Sequence, residues 1–209
     1  MKTKDIDRLV RQHLLRRLPN WEVSRGVIFI KPIEECLCSV GFGTSSFDAN
    51  LVYTEAIVQP LYLPPVREKF KRLKRLKRPG GLRFTGREEE MRHVFDAIRE
   101  QAIPFFRTAD TPEKIAAAIH QMPAVEDPYE LEAIAMSCVL LKDREGAQQA
   151  LARAVHSLIE DGREWCAAMA ARLRATSERM ESDFEAFSAE LPKWRQENLE
   201  SMELASFQA

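Results

Sequence analysis

The chain has 209 residues, of which 45% are hydrophobic and 30% are charged, and its formal net charge is −1. This composition excludes a fibrous repeat, a disulfide-stabilised miniprotein and a wholly disordered chain. No apolar run approaches the roughly 20 residues that cross a bilayer. The charged N-terminal segment also lacks the apolar core of a secretory signal, so we expect a cytoplasmic protein that does not bind membranes.

The predicted elements begin with a helix and continue with short strands. The apolar residues at 6, 9, 10, 14 and 18 share one helical face, and Pro19-Asn20 ends this helix. The apolar spacing then changes to two, which predicts strands within 21–30, 36–42 and 47–59. Three or four antiparallel strands with one buried face fit this pattern best. Prolines at 60, 64 and 65 then end the sheet.

A strongly basic segment follows the sheet. Ten basic residues and one acid, Glu68, lie between Arg67 and Arg87, whereas the last 33 residues contain eight acids and three bases. Such a segment either pairs with an acidic face of its own chain or binds an external polyanion. Phe70, Leu73 and Leu76 are three apart, which favours a short amphipathic helix over a strand.

The chain after residue 85 has helical periodicity throughout. Capping residues and prolines mark helix starts near 85, 111, 127 and 143, and the apolar residues from Met169 to Trp194 predict one long helix that Pro192 kinks or restarts. The helix pair over 127–160 fits either one tetratricopeptide-like unit or a plain helical hairpin. Because solenoids need about three such repeats, the plain hairpin is favoured.

These elements predict an α+β protein. Residues 1–85 form an N-terminal helix and a small antiparallel sheet with the basic segment, and residues 86–209 form a C-terminal helical bundle. Because the linker over 79–86 is short, we predict that the two regions share one core.

No motif for catalysis or for metal binding is present. The chain lacks a Gly-rich phosphate loop, a closely spaced histidine pair and a Gly-x-Ser-x-Gly elbow. Cys36 and Cys38 have no further Cys or His nearby to complete a zinc site, so we predict that they and Cys138 and Cys166 pack in the core. We therefore predict no catalytic residues, no metal and no cofactor.

The basic segment supplies the candidate binding residues. Seven of the ten residues from 69 to 78 are basic, a density that suits phosphate neutralisation, whereas Phe70 is the one aromatic residue there on which a base could stack. The candidates are Lys69, Lys71, Arg72, Lys74, Arg75, Lys77 and Arg78.

The string Gln59-Pro60-Leu61-Tyr62-Leu63-Pro64 directly after an alternating strand resembles the corresponding stretch of a family of uncharacterised bacterial proteins of this size. Pro104-Phe105, Thr111-Pro112 and Trp194 match further short motifs of that family, in which a small sheet is followed by helices. The basic run at 69–78 departs from the strand that the resemblance implies there. The family, a domain of unknown function, has no established activity to transfer.

The sequence therefore favours a non-catalytic binding protein with a protein partner. By fold-level analogy with small bacterial sheet-plus-helix proteins, one form of this function is an immunity-type inhibitor of a partner toxin. One alternative is a nucleic-acid-associated accessory protein that uses the basic segment 67–87. A second is an enzyme whose site is assembled from distant residues.

Overall fold

The computed structural model describes residues 3–44, 51–66, 70–77, 82–83, 86–121, 127–161 and 163–208. The predicted α+β class is confirmed, because an N-terminal helix precedes an antiparallel sheet and the C-terminal region is helical. The chain divides into two compact units. The first unit comprises Met1–Gln59, Lys71–Asp110 and Ser206–Ala209, and the second comprises Pro60–Phe70 and Thr111–Ala205. The predicted common core of residues 1–85 and 86–209 stays a prediction.

The first unit is built on a sheet that has six strands within the described residues. Five of them follow one another in the order β1-β2-β3-β4-β5, and β6 pairs with the beginning of β4. They are β1 (Trp21–Ser24), β2 (Val27–Ile30), β3 (Cys36–Thr44), β4 (Leu51–Pro60), β5 (Arg72–Arg75) and β6 (Leu82–Arg83). The strands predicted within 21–30 and 36–42 are confirmed. The one predicted over 47–59 is present from Leu51 onward, and its first positions lie outside the described residues.

The helix predicted for the basic segment is wrong. The described part of this segment contains β5, which pairs antiparallel with β4 so that Arg72 lies opposite Val58 and Arg75 lies opposite Glu55. Leu76 continues this pairing, because its N–H donates to the carbonyl of Thr54 at 2.8 Å and its side chain is buried. The three-residue spacing of the apolar residues is a local property, and pairing with a neighbouring strand outweighs it.

Helices surround the sheet within the first unit. Helix α1 (Thr3–His13) buries Ile6 and Val10, and Arg11 fastens it to β1 by donating to the carboxylate of Glu22 and to the carbonyl of Val23, both at 2.8 Å. Three helical segments follow the sheet: α2 (Glu88–Ala97), a π-helical turn (Ile98–Ala102) and α3 (Ile103–Phe106). The ring of Phe106 lies 6.0 Å from that of Trp21 on β1, so α3 contributes to the core of the sheet.

The second unit is helical. Its helices are α4 (Pro112–Gln121), α5 (Pro128–Leu140), α6 (Arg144–Asp161), α7 (Glu164–Ser182), α8 (Phe184–Ser188) and α9 (Leu191–Ser201). The long helix predicted over 169–194 is divided at Asp183, which is extended and caps α8 by accepting a hydrogen bond from the N–H of Ala186 at 3.0 Å. The predicted restart at Pro192 is confirmed, because α9 begins at Leu191 with this proline in its first turn. Within the described ranges, no helix combines the length and the apolar character of a bilayer span.

The distinctive segment around Tyr62 belongs to the core of the second unit. Leu61, Tyr62 and Leu63 are buried, and the buried amide of Asn198 on α9 donates to the carbonyls of Leu61 and Leu63 at 2.6 and 2.9 Å. The hydroxyl of Ser137 donates to the carbonyl of Ala133, so the Tyr62 hydroxyl is the donor in its 2.7 Å hydrogen bond to Ser137. The segment is thus held by side chains that satisfy its polar groups.

An ion pair is buried between two helices of the same unit. Glu132 on α5, whose side chain is 4% exposed, accepts a bidentate pair of hydrogen bonds from Arg172 on α7. The hydrogen bond to Glu132 raises the pKa of the Arg172 guanidinium above its already high ordinary value. Bidentate geometry is the strongest form of this interaction, and it fixes the facing positions of α5 and α7.

All four cysteines are buried as thiols, as the core-packing interpretation predicts. The pKa of the Cys138 thiol is raised to about 11, mainly by burial and additionally by the negative charge of Asp143 and by a hydrogen bond with it. Asp143 also accepts a hydrogen bond from the N–H of Gly146 at 2.9 Å at the start of α6. A Cβ on Gly146 would lie 2.2 Å from the Asp143 carboxylate, so this cap requires glycine there.

Candidate partner-binding surface

The candidate surface is the described part of the basic segment, Lys71 to Lys77, which we call the basic edge strand. It contains β5, the last strand in the order β1-β2-β3-β4-β5, so one side of its backbone pairs with β4 and the other is a sheet edge. Five of the predicted binding residues lie here, namely Lys71, Arg72, Lys74, Arg75 and Lys77. The other two, Lys69 and Arg78, lie outside the described residues.

The cations of this strand extend from both faces of the sheet. Residues opposite one another in an antiparallel pair share a face, so Arg72 and Lys74 lie on the face of the buried Val58 and Ala56. Arg75 lies on the other face. A strand places basic groups on both faces, whereas the predicted helix would have gathered them on one side.

Two aromatic rings support these cations. The ammonium of Lys74 lies 6.0 Å from the ring centroid of Phe105, and the guanidinium of Arg75 lies 4.1 Å from that of Tyr53. A cation over an aromatic ring is attracted to its electron-rich face by about 0.5–1 kcal/mol at an exposed site. The contact with Tyr53 therefore favours one position of the Arg75 side chain above the sheet.

The cations of the basic edge strand form no ion pair within the described residues, although Glu55 lies opposite Arg75 on the same face of the strand pair. Lys71, Lys74, Arg75 and Lys77 are exposed and Arg72 is half-buried. Among the described residues, none of the five lies within 4.0 Å of a carboxylate oxygen. Elsewhere in the same unit, Arg11 and Lys31 both contact Glu22. The positive charge of this strand therefore faces the solvent and can attract a negatively charged molecule there.

The backbone of the basic edge strand is also open to solvent along its outer side. Because Leu76 donates to Thr54 of β4, the alternation of an antiparallel ladder directs the polar groups of Leu73, Arg75 and Lys77 outward. Lys77 is capped, since its N–H and carbonyl bond the side-chain amide of Gln101 at 3.0 and 2.8 Å. Within the described part of the chain, no hydrogen-bond partner covers the outward groups of Leu73 and Arg75.

A cavity of about 520 Å³ lies beside this strand in the same unit. Its polar lining comes from Thr3, Arg25, Tyr53, Glu55 and Arg75, and glycines of β3 and of the β1–β2 turn form part of its wall. Among its described lining residues there is one carboxylate and no Ser, Cys or His. The cavity is consistent with binding of a polar group beside Arg75.

Sequence reasoning found the cations but missed the groups that define the site. Tyr53, Phe105 and Gln101 are distant in sequence from Lys71 to Lys77. Sheet pairing brings Tyr53 to this strand, and Gln101 and Phe105 approach it from the helical segments after the sheet. The open edge itself depends on which strand β5 joins. Only a predicted strand over 71–77 would have led us to expect the contacts with these three side chains or the open sheet edge.

The described residues contain no group of three or more His, Cys, Asp or Glu side chains arranged to hold a metal ion. Comparison with protein-family models, with curated proteins and with solved structures found no match to this chain. The site must therefore be interpreted from its own geometry.

Proposed function

We propose that this chain is a non-catalytic binding protein whose basic edge strand docks a negatively charged partner protein. The observation that supports this most directly is the set of five cations that form no ion pair among the described residues. Charges that stay unneutralised on a folded protein attract an oppositely charged surface and accelerate its encounter. Leu73, which is 55% exposed, adds apolar area between the cations of the basic edge strand.

The experiment compares two variants that change the net charge equally. The first reverses the edge strand with Lys71→Glu, Lys74→Glu and Arg75→Glu. The matched control carries Arg92→Glu, Arg107→Glu and Arg174→Glu, three exposed arginines that form no ion pair among the described residues. Binding of a fluorescent poly-L-glutamate peptide is measured by anisotropy over a series of salt concentrations. Circular dichroism checks that each variant is folded.

We expect the parent to bind the peptide at low salt and to lose it as salt screens the charges. The edge-strand variant should bind roughly tenfold or more weakly, because three attractive charges become repulsive, while the scattered control stays within about threefold of the parent. Equal weakening in both variants would show that net charge alone controls binding and would contradict a specific surface. No salt-sensitive binding by the parent would contradict the proposal outright.

The immunity-type inhibitor is the narrower form of this proposal. It requires a partner toxin with an acidic surface that the basic edge strand covers, with buried aromatic or apolar groups as anchors. A toxin encoded beside the gene for this chain, inhibited by the parent and not by the edge-strand variant, would support it. Neighbouring genes that encode no toxin would argue against this form and leave the broader one standing.

Nucleic acid is the second candidate partner, because the density of cations in this segment suits phosphate neutralisation. Against it, the ring of Tyr53 is already covered by Arg75, so it offers no free platform for a base. The same two variants, titrated with a single-stranded and a duplex oligonucleotide, test this candidate. Tighter binding of either oligonucleotide than of the peptide at equal salt would favour it.

A further inference from the structure

We propose that the partner binds by adding a β-strand to the outer edge of the basic edge strand, and that the added strand is an acidic extended segment of another protein. This inference rests on the proposed function and specifies how the same surface would recognise its partner. It follows from the open backbone, from the order of side chains along the strand and from the unsuitability of two of the chain's own segments as occupants.

The open backbone provides the docking groups. Leu73 and Arg75 each direct one N–H and one carbonyl outward, and no described residue bonds them. Such a row of unpaired groups is a template for strand addition, in which main-chain hydrogen bonds hold the incoming segment. Gln101 already acts in this way at Lys77, where its amide occupies the position of a neighbouring backbone. It also marks where the open edge ends.

The side chains specify the sequence that fits. An antiparallel partner would place an apolar residue opposite the exposed Leu73. Acidic residues would lie on both sides of it, opposite Arg75 and Lys74 in one direction and opposite Arg72 and Lys71 in the other. The predicted partner segment therefore has one apolar residue flanked by pairs of acids.

Two segments of this chain are unsuitable occupants. A second copy of β5 would bring Lys and Arg side chains opposite Lys and Arg, and like charges directly opposite each other destabilise a strand pair. The acid-rich C-terminal residues are folded mainly into α7, α8 and α9, so they do not provide an extended acidic strand. The same positive charges that oppose self-association thus select an acidic segment from another protein.

The experiment uses the intact chain and a synthetic peptide, Thr-Glu-Glu-Val-Glu-Glu-Thr, as the probe. Two N-methylated forms of this peptide separate backbone bonding from charge. Methylation of the valine amide removes the hydrogen bond to the Leu73 carbonyl, whereas methylation of the Glu opposite Lys74 modifies an amide that points away from the edge. A peptide of the same composition with its order scrambled controls for side-chain pattern. Binding is measured by anisotropy at low salt.

A pair of protein variants provides an independent test. Leu73→Pro removes an outward N–H that the sheet does not use, and proline is tolerated at such edge positions. Leu73→Ala removes the same side chain and keeps the N–H. Both variants leave every charge of the site in place.

Strand addition predicts roughly tenfold weaker binding for the valine-methylated peptide and for Leu73→Pro relative to Leu73→Ala. The Glu-methylated peptide should bind like the unmodified one. Equal binding of all three ordered peptides, still abolished by the charge-reversed variant, would overturn strand addition and leave the proposed function intact. Failure of the parent to bind any of the peptides would overturn both, and preferential binding of an oligonucleotide would overturn strand addition in favour of the second candidate.

Discussion

The core of the second unit and the basic edge strand of the first unit differ in whether their polar groups have partners. In the second unit, Glu132 is paired with Arg172, and Asn198 satisfies two carbonyls of the buried segment around Tyr62. In the first unit, the basic edge strand leaves five cations without an ion pair, and the outward backbone groups of Leu73 and Arg75 without a hydrogen bond, among the described residues. The first arrangement is what stability requires, and the second is what binding requires.

This difference separates two kinds of distinctive sequence. The string around Tyr62 and the basic run at 69–78 are the two most unusual stretches of the chain. The first is buried and satisfied, so its composition is explained by packing. The described part of the second, Lys71 to Lys77, is mostly exposed, and the outward backbone groups of Leu73 and Arg75 have no hydrogen-bond partner among the described residues, so packing does not explain it. An unusual sequence therefore indicates function only where its polar groups remain available, and the experiments below test that distinction.

The largest effect should come from breaking the buried ion pair. Glu132→Gln removes the negative charge and leaves the Arg172 guanidinium, which is mostly buried, without its counterion. Breaking a buried pair typically costs 3–5 kcal/mol, and we expect about 3 kcal/mol because the arginine keeps some access to water. Urea unfolding, followed by circular dichroism, measures the change.

A double variant is the control for that experiment. Glu132→Leu with Arg172→Met replaces both charges by apolar groups and should recover most of the lost stability, because no buried charge is left unpaired. If the single variant unfolds at the same urea concentration as the parent, the ion pair does not stabilise the second unit. That result would contradict the view that paired polar groups stabilise this unit.

A pH dependence follows from the raised pKa of Cys138. The folded chain keeps the thiol proton up to about pH 11, whereas the unfolded chain loses it near its ordinary pKa of about 9. Between these values the folded state binds more protons, so the free energy of unfolding falls as the pH rises, by about 2 kcal/mol from this group.

Cys138→Ala isolates this contribution from the lysines and tyrosines that titrate in the same range. The variant should lose less stability than the parent between about pH 9 and about pH 11. Below that window the thiol is protonated in both states, so the two stability curves should run parallel there. Parallel curves over the whole range would mean that the Cys138 thiol is not buried as described.

The fold class could be predicted from the sequence because helical and strand periodicities are local properties of a chain. The strand predicted within 36–42 and the start of α5, with Asp127 as its cap and Pro128 in its first turn, both appear in the structure as expected. The basic edge strand could not be predicted in the same way. Its conformation is decided by pairing with Glu55 to Val58, and three-residue spacing of apolar side chains gives no information about that partner.

The candidate site was therefore half predictable. Charge density identified Lys71 to Lys77 directly, since charge is read from composition alone. The open backbone of Leu73 and Arg75, the ring of Tyr53 and the cap by Gln101 all depend on tertiary pairing. These features distinguish a docking edge from a solvated charged run, so the choice between the two could not be made from the sequence.

The smallest change in stability should come from substitutions in the basic edge strand, although the same substitutions should weaken partner binding. Lys71→Gln, Lys74→Gln and Lys77→Gln together remove three exposed cations that no described carboxylate contacts. We expect the free energy of unfolding to change by less than about 1 kcal/mol, because exposed substitutions are nearly neutral and the loss of the Lys74–Phe105 contact is offset by weaker repulsion among the remaining cations. Thermal unfolding at low salt measures this. A loss above about 2 kcal/mol would mean that these cations stabilise the fold as Arg172 does, and it would remove the physical reason for assigning them to a partner.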